Sequence, residues 1–376
     1  MKTVVNSPEI AIYEDLPSGG AKRLCNSLVK KLSNTYTILV APKNDYVTHI
    51  SNIFKYYWYV FMILPKTNKI LVEKINKTKI LIAFQSWVTK SPIIMKNIKI
   101  PVVYICHEPP REFYDEDYIK TFTLKEKLVN FIGLIIKYLD KNNITKTKKL
   151  TIITNSHYSA EQIAKAYDKN AKVIYPGINT ATFGKRKIWA ERSNQVISVG
   201  SLNKLKNQLY IIKCIAQLPE KIRPLLILVG NGGNNKYIQE ISACAKDNRV
   251  NIIIKLNIED RELIKLYKSS RLFIYSPINE PFGLVILEAL ASGLPIVAIN
   301  KGGFPEILSR KNGFLLDKYV TTQWANKIQS LLENKSVWDK ISKYNYEYSK
   351  SFRTDDMNTN VVKVINDLLK ETSNNL

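Results

Sequence analysis

Short apolar runs alternate with helix-length segments along the whole chain. Such runs are typical of buried strands in a parallel sheet, and the segments between them, such as 21–32, are long enough for crossover helices. The alternation predicts a doubly wound α/β architecture. The predicted strands are 2–5, 37–40, 80–84, 102–106, 150–154 and 173–175 in the first half, and 196–199, 225–229, 250–254, 272–275 and 296–299 in the second.

The length of the chain indicates more than one domain. It has 376 residues, and a prior of about 150 residues per domain suggests two or three. Apolar periodicity lapses and charged residues cluster just before residue 195. We therefore predict a first domain over 1–180, a linker over 181–194 and a second domain over 195–350.

The composition is that of a globular enzyme. Hydrophobic residues make up 45% of the chain and charged residues 23%, which indicates neither disorder nor a collagen-like repeat. The four cysteines lie far apart without a Cys-x-x-Cys pair, and the first residues lack the apolar segment of a secretory signal. We therefore expect a reduced, cytoplasmic setting.

The chain is strongly basic. Lys and Arg number 56 against 32 Asp and Glu, a formal net charge of +24, which favours anionic partners. Lysine dominates and no aromatic-basic signature of nucleic-acid binding stands out, which argues against specific nucleic-acid recognition. An anionic membrane is the preferred partner, since each basic residue near anionic lipid contributes about 1 kcal/mol. A Lys-, Ile- and Asn-rich composition without any partner is the alternative.

Two apolar stretches bear on the membrane question. They are IFKYYWYVFMIL at 53–64 and LVNFIGLIIKYL at 128–139. Neither reaches the roughly 20 apolar residues that span a bilayer. Each fits an interfacial element or a core helix. The core interpretation is favoured for 128–139, whereas the two are balanced for 53–64.

The segment with the most candidate functional residues is 276–307, SPINEPFGLVILEALASGLPIVAINKGGFPEI. Pro281 is predicted to begin a helix and Gly293 to end it, and a strand-length apolar run follows. Amides at a helix N-terminus are unpaired and bind phosphate oxygens. The amides in that position are those of Phe282, Gly283, Leu284 and Val285.

Two carboxylates flank this predicted helix start. Glu280 lies in the loop before it and Glu288 lies one to two turns inside it. Glutamates are commonly solvated surface charges. Here the apolar run around Glu288 would bury the carboxylate, which would then need a partner. The pair can face the two ends of a bound nucleotide diphosphate.

The block resembles the retaining glycosyltransferases of family 4. The shared pattern is Glu280, seven residues and Glu288, with Pro-Phe-Gly after the first Glu and Ala-Leu-Ala-Ser-Gly-Leu-Pro after the second. The resemblance implies a GT-B fold, with two Rossmann-like domains facing across a cleft and a last helix within 351–376 that crosses back to the first domain. It also implies that Glu280 contacts the donor sugar, Glu288 the ribose, and the amides between them the diphosphate.

Two motifs of the first half match the same family. Gly19 and Gly20 precede a helix, where amides can approach a ligand; in the family such a loop faces the donor phosphates. His107 to Arg111 follows a buried strand, where ligands of open α/β sheets bind, and it has the His-x-Pro-Pro-Arg form of mannosyltransferase-like members. There the His contacts the donor sugar, and Arg111 would help to bind an anionic acceptor.

The start of the second half departs from the family pattern at one position. Members usually carry Gly-Arg-Leu, three residues and then Lys, and the two cations neutralise the diphosphate. Lys206 matches the Lys, but Ser201 replaces the Arg. We hypothesise that Lys204 compensates. A glycine loop at Gly230 either passes near the nucleotide or is an ordinary turn.

The resemblance therefore predicts a retaining hexosyltransferase that uses a UDP- or GDP-linked sugar. Lys206 and the amides would stabilise the leaving diphosphate, and Glu280 and His107 would position the sugar. No metal-ligand spacing is visible in the sequence, so we expect neither metal nor other cofactor. The expected acceptor is a glycan or a polyprenyl-linked glycan at the cytoplasmic membrane face.

Two alternatives stay open. A nucleotide-sugar epimerase of the same fold would need further acid–base groups, and the chain has only three histidines. A non-catalytic membrane- or nucleic-acid-binding protein would explain the charge, but not the combination of Glu280, Glu288 and Lys206.

Overall fold

A six-stranded parallel sheet forms the centre of the first of two structural units. We describe a computed structural model over residues 8–16, 19–41, 53–86, 89–232 and 235–374. The first unit comprises Met1–Tyr175 and Asp355–Leu376. Its strands are β1 Ile10–Tyr13, β2 Ile38–Val40, β3 Ile80–Phe84, β4 Val102–Ile105, β5 Leu150–Thr154 and β6 Ala171–Val173. They lie in the order β2-β1-β3-β4-β5-β6.

Helices connect these strands, as parallel pairing requires. Those of Met1–Tyr175 are α1 Gly20–Ser33, α2 Ile53–Trp58, α3 Leu64–Ile75, α4 Arg111–Tyr114, α5 Glu116–Lys120, α6 Leu124–Ile132, α7 Leu134–Lys146 and α8 His157–Tyr167. A π-helical turn, Tyr59–Ile63, joins α2 to α3. The central strands β1, β3 and β4 are buried along their whole length, which explains why they read as continuous apolar runs.

The second unit, Pro176–Thr354, contains another six-stranded parallel sheet. Its strands are β7 Gln195–Val199, β8 Leu225–Gly230, β9 Ile252–Leu256, β10 Leu272–Tyr275, β11 Ile296–Ile299 and β12 Gly313–Leu316. Its helices are α9 Gln208–Ala216, α10 Asn235–Asp247, α11 Asp260–Ser269, α12 Leu284–Ala291, α13 Phe304–Ile307, α14 Thr321–Glu333 and α15 Lys335–Tyr348. The strand order is β12-β11-β10-β7-β8-β9, the order of a dinucleotide-binding Rossmann sheet.

The strand predictions are right where the apolar run is long and buried. The predicted strand 2–5 lies outside the described residues, and the described sheet starts at β1, which the sequence analysis missed. The strand predicted at 173–175 is β6, which lies two residues earlier. The edge strand β12 was also missed, because only its first residue is buried and the others are half-buried.

The segment predicted as a linker, 181–194, belongs to the second unit. Arg192 is buried there and donates to the backbone carbonyls of Ser270 (2.8 Å) and Ser292 (2.6 Å). The Phe183 ring contacts the Tyr267 ring edge-on. The segment looked like a linker because it lacks periodicity, yet long-range contacts hold it on the unit.

The last helix, α16 Thr354–Asn374, clusters with the first unit from Asp355 onward. Asn358 Nδ2 donates to Ser27 Oγ (2.7 Å), and the Tyr36 hydroxyl donates to Asn366. Ile365 is fully buried. The chain therefore returns to its first unit at its end.

We predict that Ile365→Ala lowers the free energy of unfolding by about 2 to 5 kcal/mol, because it removes buried methyl groups and leaves a cavity. The measurement is urea unfolding. The matched control is Lys363→Ala, an exposed position on the same helix, which should change the free energy by less than about 0.5 kcal/mol. Equal effects of the two substitutions would contradict the packing of α16.

Candidate active site

The loops after β7 and β10 meet at the point where the strand order of the second sheet reverses. Ligands of open α/β sheets bind at the carboxyl ends of strands at such a point. The two loops are joined by hydrogen bonds. The Ile278 amide donates to the Leu205 carbonyl (2.8 Å), and Ser276 Oγ donates to the Asn207 carbonyl (3.0 Å). The topology thus brings 200–207 and 276–283 together.

An ion pair links the predicted cation of one loop to the predicted acid of the other. Lys206 Nζ lies 2.5 Å from Glu280 Oε2. The Lys206 backbone is fixed from its own loop, because its amide donates to the carbonyl and to Oδ1 of Asn203. Glu280 is 9% exposed. Both charges are therefore held in a partly desolvated position, where they act strongly on a ligand.

Tyr275, the last residue of β10, completes this pair. Lys206 Nζ lies 5.8 Å from the centroid of its buried ring, and burial together with the Glu280 carboxylate raises the pKa of Tyr275 above its ordinary value. The sequence analysis did not single out Tyr275. Its position at the end of an apolar run could have identified it, because a buried phenol at a strand end needs a polar partner.

The helix start predicted at Pro281 lies three residues later. Helix α12 begins at Leu284, and Gly283 caps it with a positive φ of 84° that favours glycine. The amides of Gly283, Leu284 and Val285 have no hydrogen-bond partner among the described residues. Phe282 lies in the loop before the helix, and its side chain is buried. The amides available to an anion are therefore those of the helix cap and first turn.

Glu288 is buried within α12 and has a partner. It is 3% exposed, and the Tyr267 hydroxyl donates to its Oε2 (2.9 Å). The same hydroxyl lies 3.4 Å from the Val285 carbonyl oxygen. The prediction that the apolar run buries this carboxylate is confirmed. Because one carboxylate oxygen is anchored by Tyr267, the orientation of the group is fixed.

The glycine pair after β11 packs on the backbone of the loop that carries Glu280. A Cβ atom at Gly302 would lie 2.2 Å from the Glu280 carbonyl oxygen, and one at Gly303 would lie 2.1 Å from the Pro281 carbonyl oxygen. The Gly303 amide donates to the Glu280 carbonyl (2.8 Å). This role was not deduced from the sequence. It explains why two glycines are needed there.

Gly230 serves a similar purpose at the end of β8. A Cβ atom there would lie 2.9 Å from the carbonyl oxygen of Gly200, so the residue permits close approach of the loop after β7. The Ser201 carbonyl accepts from Gln208 Nε2 (3.1 Å), and Lys204 is exposed on the same loop. Ser201 and Gly230 thus shape the loop that presents Lys206.

The predicted residues of the first unit follow strands of its sheet. His107 follows β4 and is half-buried, and its Nε2 has no hydrogen-bond partner within the described ranges. Burial lowers the pKa of His107 to about 4, so the ring is neutral at neutral pH. Gly19 and Gly20 begin α1, with Gly19 as its cap at φ 150°. The two residues before them lie outside the described part.

Arg111 has partners within its own helix turn. Its Nε and Nη2 lie 3.0 and 2.8 Å from Asp115 Oδ2, and Nε lies 3.7 Å from Glu108 Oε2. The side chain is buried. Through these contacts the guanidinium stabilises α4 and the start of α5. Acceptor binding by Arg111 stays a prediction. Over the described ranges, no group of three or more His, Cys, Asp or Glu side chains is placed to hold a metal ion.

Part of the chain is similar to known proteins. Residues 179–348 match the family described as glycosyl transferases group 1. An uncharacterized glycosyltransferase of Methanocaldococcus jannaschii is 28% identical over 176 residues, which cover 43% of this chain and 45% of that protein. A D-inositol 3-phosphate glycosyltransferase of a Mycobacterium species is 28% identical over 203 residues, covering 48% and 44%. The chain thus spans less than half the length of these two relatives.

The whole fold matches a solved structure. The Anabaena protein HepE, crystallised with UDP and glucose, has a TM-score of 0.74 and 19% identity, and the match covers 96% of this chain and 100% of that one. The predicted GT-B fold is confirmed by this likeness, since both Rossmann-like units are included.

We predict that His107 titrates near pH 4, because burial disfavours the charged ring. As the pH falls from 6.5 toward 4, His107 binds a proton in the unfolded chain but stays neutral in the folded chain. The free energy of unfolding therefore decreases. Proton NMR titration checks this, with the three histidine signals assigned by single His→Gln variants. A midpoint at or above 6.5 for His107 would contradict the burial of its ring.

Proposed function

We propose that the chain is a glycosyltransferase that moves a hexose from a nucleotide diphosphate sugar, a proposal that the match of residues 179–348 to the glycosyl transferases group 1 family supports. The Lys206–Glu280 ion pair at the N-terminus of α12 is the observation that carries the proposal. It puts a cation, three unpaired amides and a carboxylate at the switch point of a Rossmann sheet. This set suits a diphosphate with a sugar on one side.

In this proposal the donor phosphates displace part of the Lys206–Glu280 contact. The Lys206 ammonium group forms an ion pair with the diphosphate, and the amides of Gly283, Leu284 and Val285 bind the phosphate oxygens. Positive groups fixed before the reaction stabilise the charge that grows on the leaving diphosphate, which is commonly the largest catalytic effect. Glu280, released from Lys206, accepts hydrogen bonds from sugar hydroxyls.

Glu288 binds the ribose in this scheme. One of its oxygens is held by Tyr267, and the carboxylate accepts a hydrogen bond from a ribose hydroxyl. His107, neutral at neutral pH because its pKa is about 4, hydrogen-bonds the sugar without adding charge. Gly19 and Gly20 present the first amides of α1 to the donor.

The donor is proposed to be a UDP- or GDP-linked hexose, with UDP-glucose as the first compound to test. Its choice is supported by HepE, which was crystallised with UDP-glucose. We further propose that transfer retains the anomeric configuration, as in family 4, and needs no metal. Lys206 and the α12 amides supply the positive charge at the diphosphate.

The acceptor is proposed to be a glycan or a polyprenyl-linked glycan at the cytoplasmic face of a membrane. The net charge of +24 supports attraction to anionic lipid. Within the described ranges, none of the helices has the length and apolar character that a transmembrane span requires. We propose that the contact with the membrane is peripheral, through the basic surface.

We predict that Lys206→Ala lowers kcat/KM for UDP-glucose hydrolysis or transfer by about 10² to 10³, because it removes a preformed charge at the leaving group. Glu280→Gln should also impair turnover, since the neutral amide cannot accept as strongly from the sugar. The measurement is release of UDP with each candidate donor. Lys246→Ala, an exposed lysine of α10, is the matched control and should behave as the unmodified chain.

Lys204→Ala tests whether that exposed lysine replaces the arginine of the family pattern. If it does, donor affinity falls with Lys204→Ala as well as with Lys206→Ala. Undiminished affinity would refute compensation by Lys204 alone. Undiminished turnover in both Lys206→Ala and Glu280→Gln would refute the proposed function.

A further inference from the structure

Over 124–131, helix α6 has no buried residue, although half of these residues are large and apolar. Leu124, Leu128, Val129 and Phe131 are all at least half exposed. A capping box at Thr123 and Glu126 closes its N-terminus, so the helix is locally well formed. It therefore presents an apolar surface that no described part of the chain covers.

The apolar surface continues from α6 into α7. Gly133 between them has helical dihedral angles, and its amide donates to the Val129 carbonyl (3.0 Å), so the helical repeat is kept. Along this repeat, exposed apolar residues recur at alternating intervals of four and three, which places them on one face. They are Leu124, Leu128, Phe131, Ile135 and Tyr138, between 49% and 87% exposed. We call this set the α6–α7 stripe.

The sequence analysis favoured a core position for this segment, and the structure corrects that. Only Ile136 and Ile144 are buried apolar residues of α7. The apolar composition was read correctly, but composition does not reveal whether a surface faces the core. A contiguous row of exposed, large apolar side chains is typical of an interaction site.

The charges beside the stripe are positive. Lys125 and Lys127 are exposed on its two flanks, and Lys141 is exposed one turn beyond it. The two acids of these helices point elsewhere: Glu126 binds Thr123, and Asp140 is buried against Ser91 and Tyr167. A surface cavity of about 390 Å³ opens beside Tyr138 and Lys141. The surface thus combines apolar side chains with cations.

A second exposed apolar face lies nearby in the same unit. Trp58, Phe61 and Met62, in α2 and the π-helical turn, are exposed. The other side of this segment shares a buried cluster with α7, in which Tyr59 and Val60 join Ile136, among others. The stretch 53–64 therefore has a buried side, which packs with α7, and an exposed apolar side.

We infer that the α6–α7 stripe, with the exposed face around Trp58, is the surface by which this chain lies on an anionic phospholipid bilayer. Apolar side chains flanked by lysines suit the boundary between headgroups and acyl chains. A second copy of the chain fits worse, because both copies would bring the same lysines and a net charge of +24. The inference rests on the proposed function only in naming where its membrane contact lies.

The test is flotation of the full chain with phosphatidylcholine vesicles, with and without phosphatidylglycerol. We expect binding only when phosphatidylglycerol is present. Leu128→Ser with Phe131→Ser should lower the partition coefficient at least about tenfold, because two large apolar side chains no longer enter the bilayer. The matched control changes Ile188→Ser with Val337→Ser, exposed apolar residues of the second unit, and should bind normally. Because the substituted residues of both variants are exposed, neither variant should change the thermal unfolding midpoint.

The lysines are tested separately. Lys125→Gln with Lys127→Gln should weaken binding by about tenfold or more, at about 1 kcal/mol per basic residue. Lys335→Gln with Lys340→Gln removes the same charge from the exposed surface of α15 and should weaken it less. Equal loss in the two pairs would mean that net charge alone binds lipid, and would overturn the assignment of the stripe.

Two further outcomes would overturn the inference. One is full vesicle binding by the Leu128→Ser, Phe131→Ser variant. The other is a dimer in analytical ultracentrifugation that this variant converts to monomer, without vesicle binding by the unmodified chain. Donor hydrolysis in vesicle-free solution separates the claims. If vesicle binding depends on the stripe but no donor is hydrolysed, only the proposed sugar transfer is contradicted. If donor is hydrolysed but vesicle binding does not depend on the stripe, only the membrane contact is contradicted.

Discussion

The contact between Lys206 and Glu280 is the interaction on which the candidate site depends. It exists because the strand order of the second sheet reverses between β7 and β10, so that the loops after these strands meet. A partly buried ion pair contributes little net stability, because desolvation offsets much of the attraction. Its position at the first turn of α12 is better explained by a ligand that both charges serve. The buried ring of Tyr275 lies against this pair, with Lys206 Nζ 5.8 Å from its centroid.

The surrounding backbone is shaped to keep that pair in place. Gly302 and Gly303 let the loop after β11 lie directly on the peptide groups of Glu280 and Pro281, where any Cβ atom would collide. On the other side, Gly230 allows the loop after β7 to approach the end of β8. The acid and the cation are thus held by backbone packing from both directions. The site is preorganised by the sheet ends instead of by flexible side chains.

The sequence predicted the alternating architecture, the charge of the site and the burial of Glu288, because these follow from local periodicity and one dense motif. It did not predict the contacts that depend on distant residues. Tyr275, the packing role of Gly302, and the attachment of Arg192 to the second unit involve partners that no local pattern identifies. The exposure of the α6–α7 stripe was misjudged for a related reason. An apolar helix has the same sequence pattern whether protein or lipid covers it.

A crystal structure of the chain grown with UDP would show whether a nucleoside diphosphate binds at the start of α12. We expect β-phosphate oxygens within hydrogen-bond distance of the Gly283, Leu284 and Val285 amides and of Lys206 Nζ. The distance between Lys206 Nζ and Glu280 Oε2 should then exceed 2.5 Å. UDP bound elsewhere, or an unoccupied α12 N-terminus at saturating UDP, would contradict this expectation.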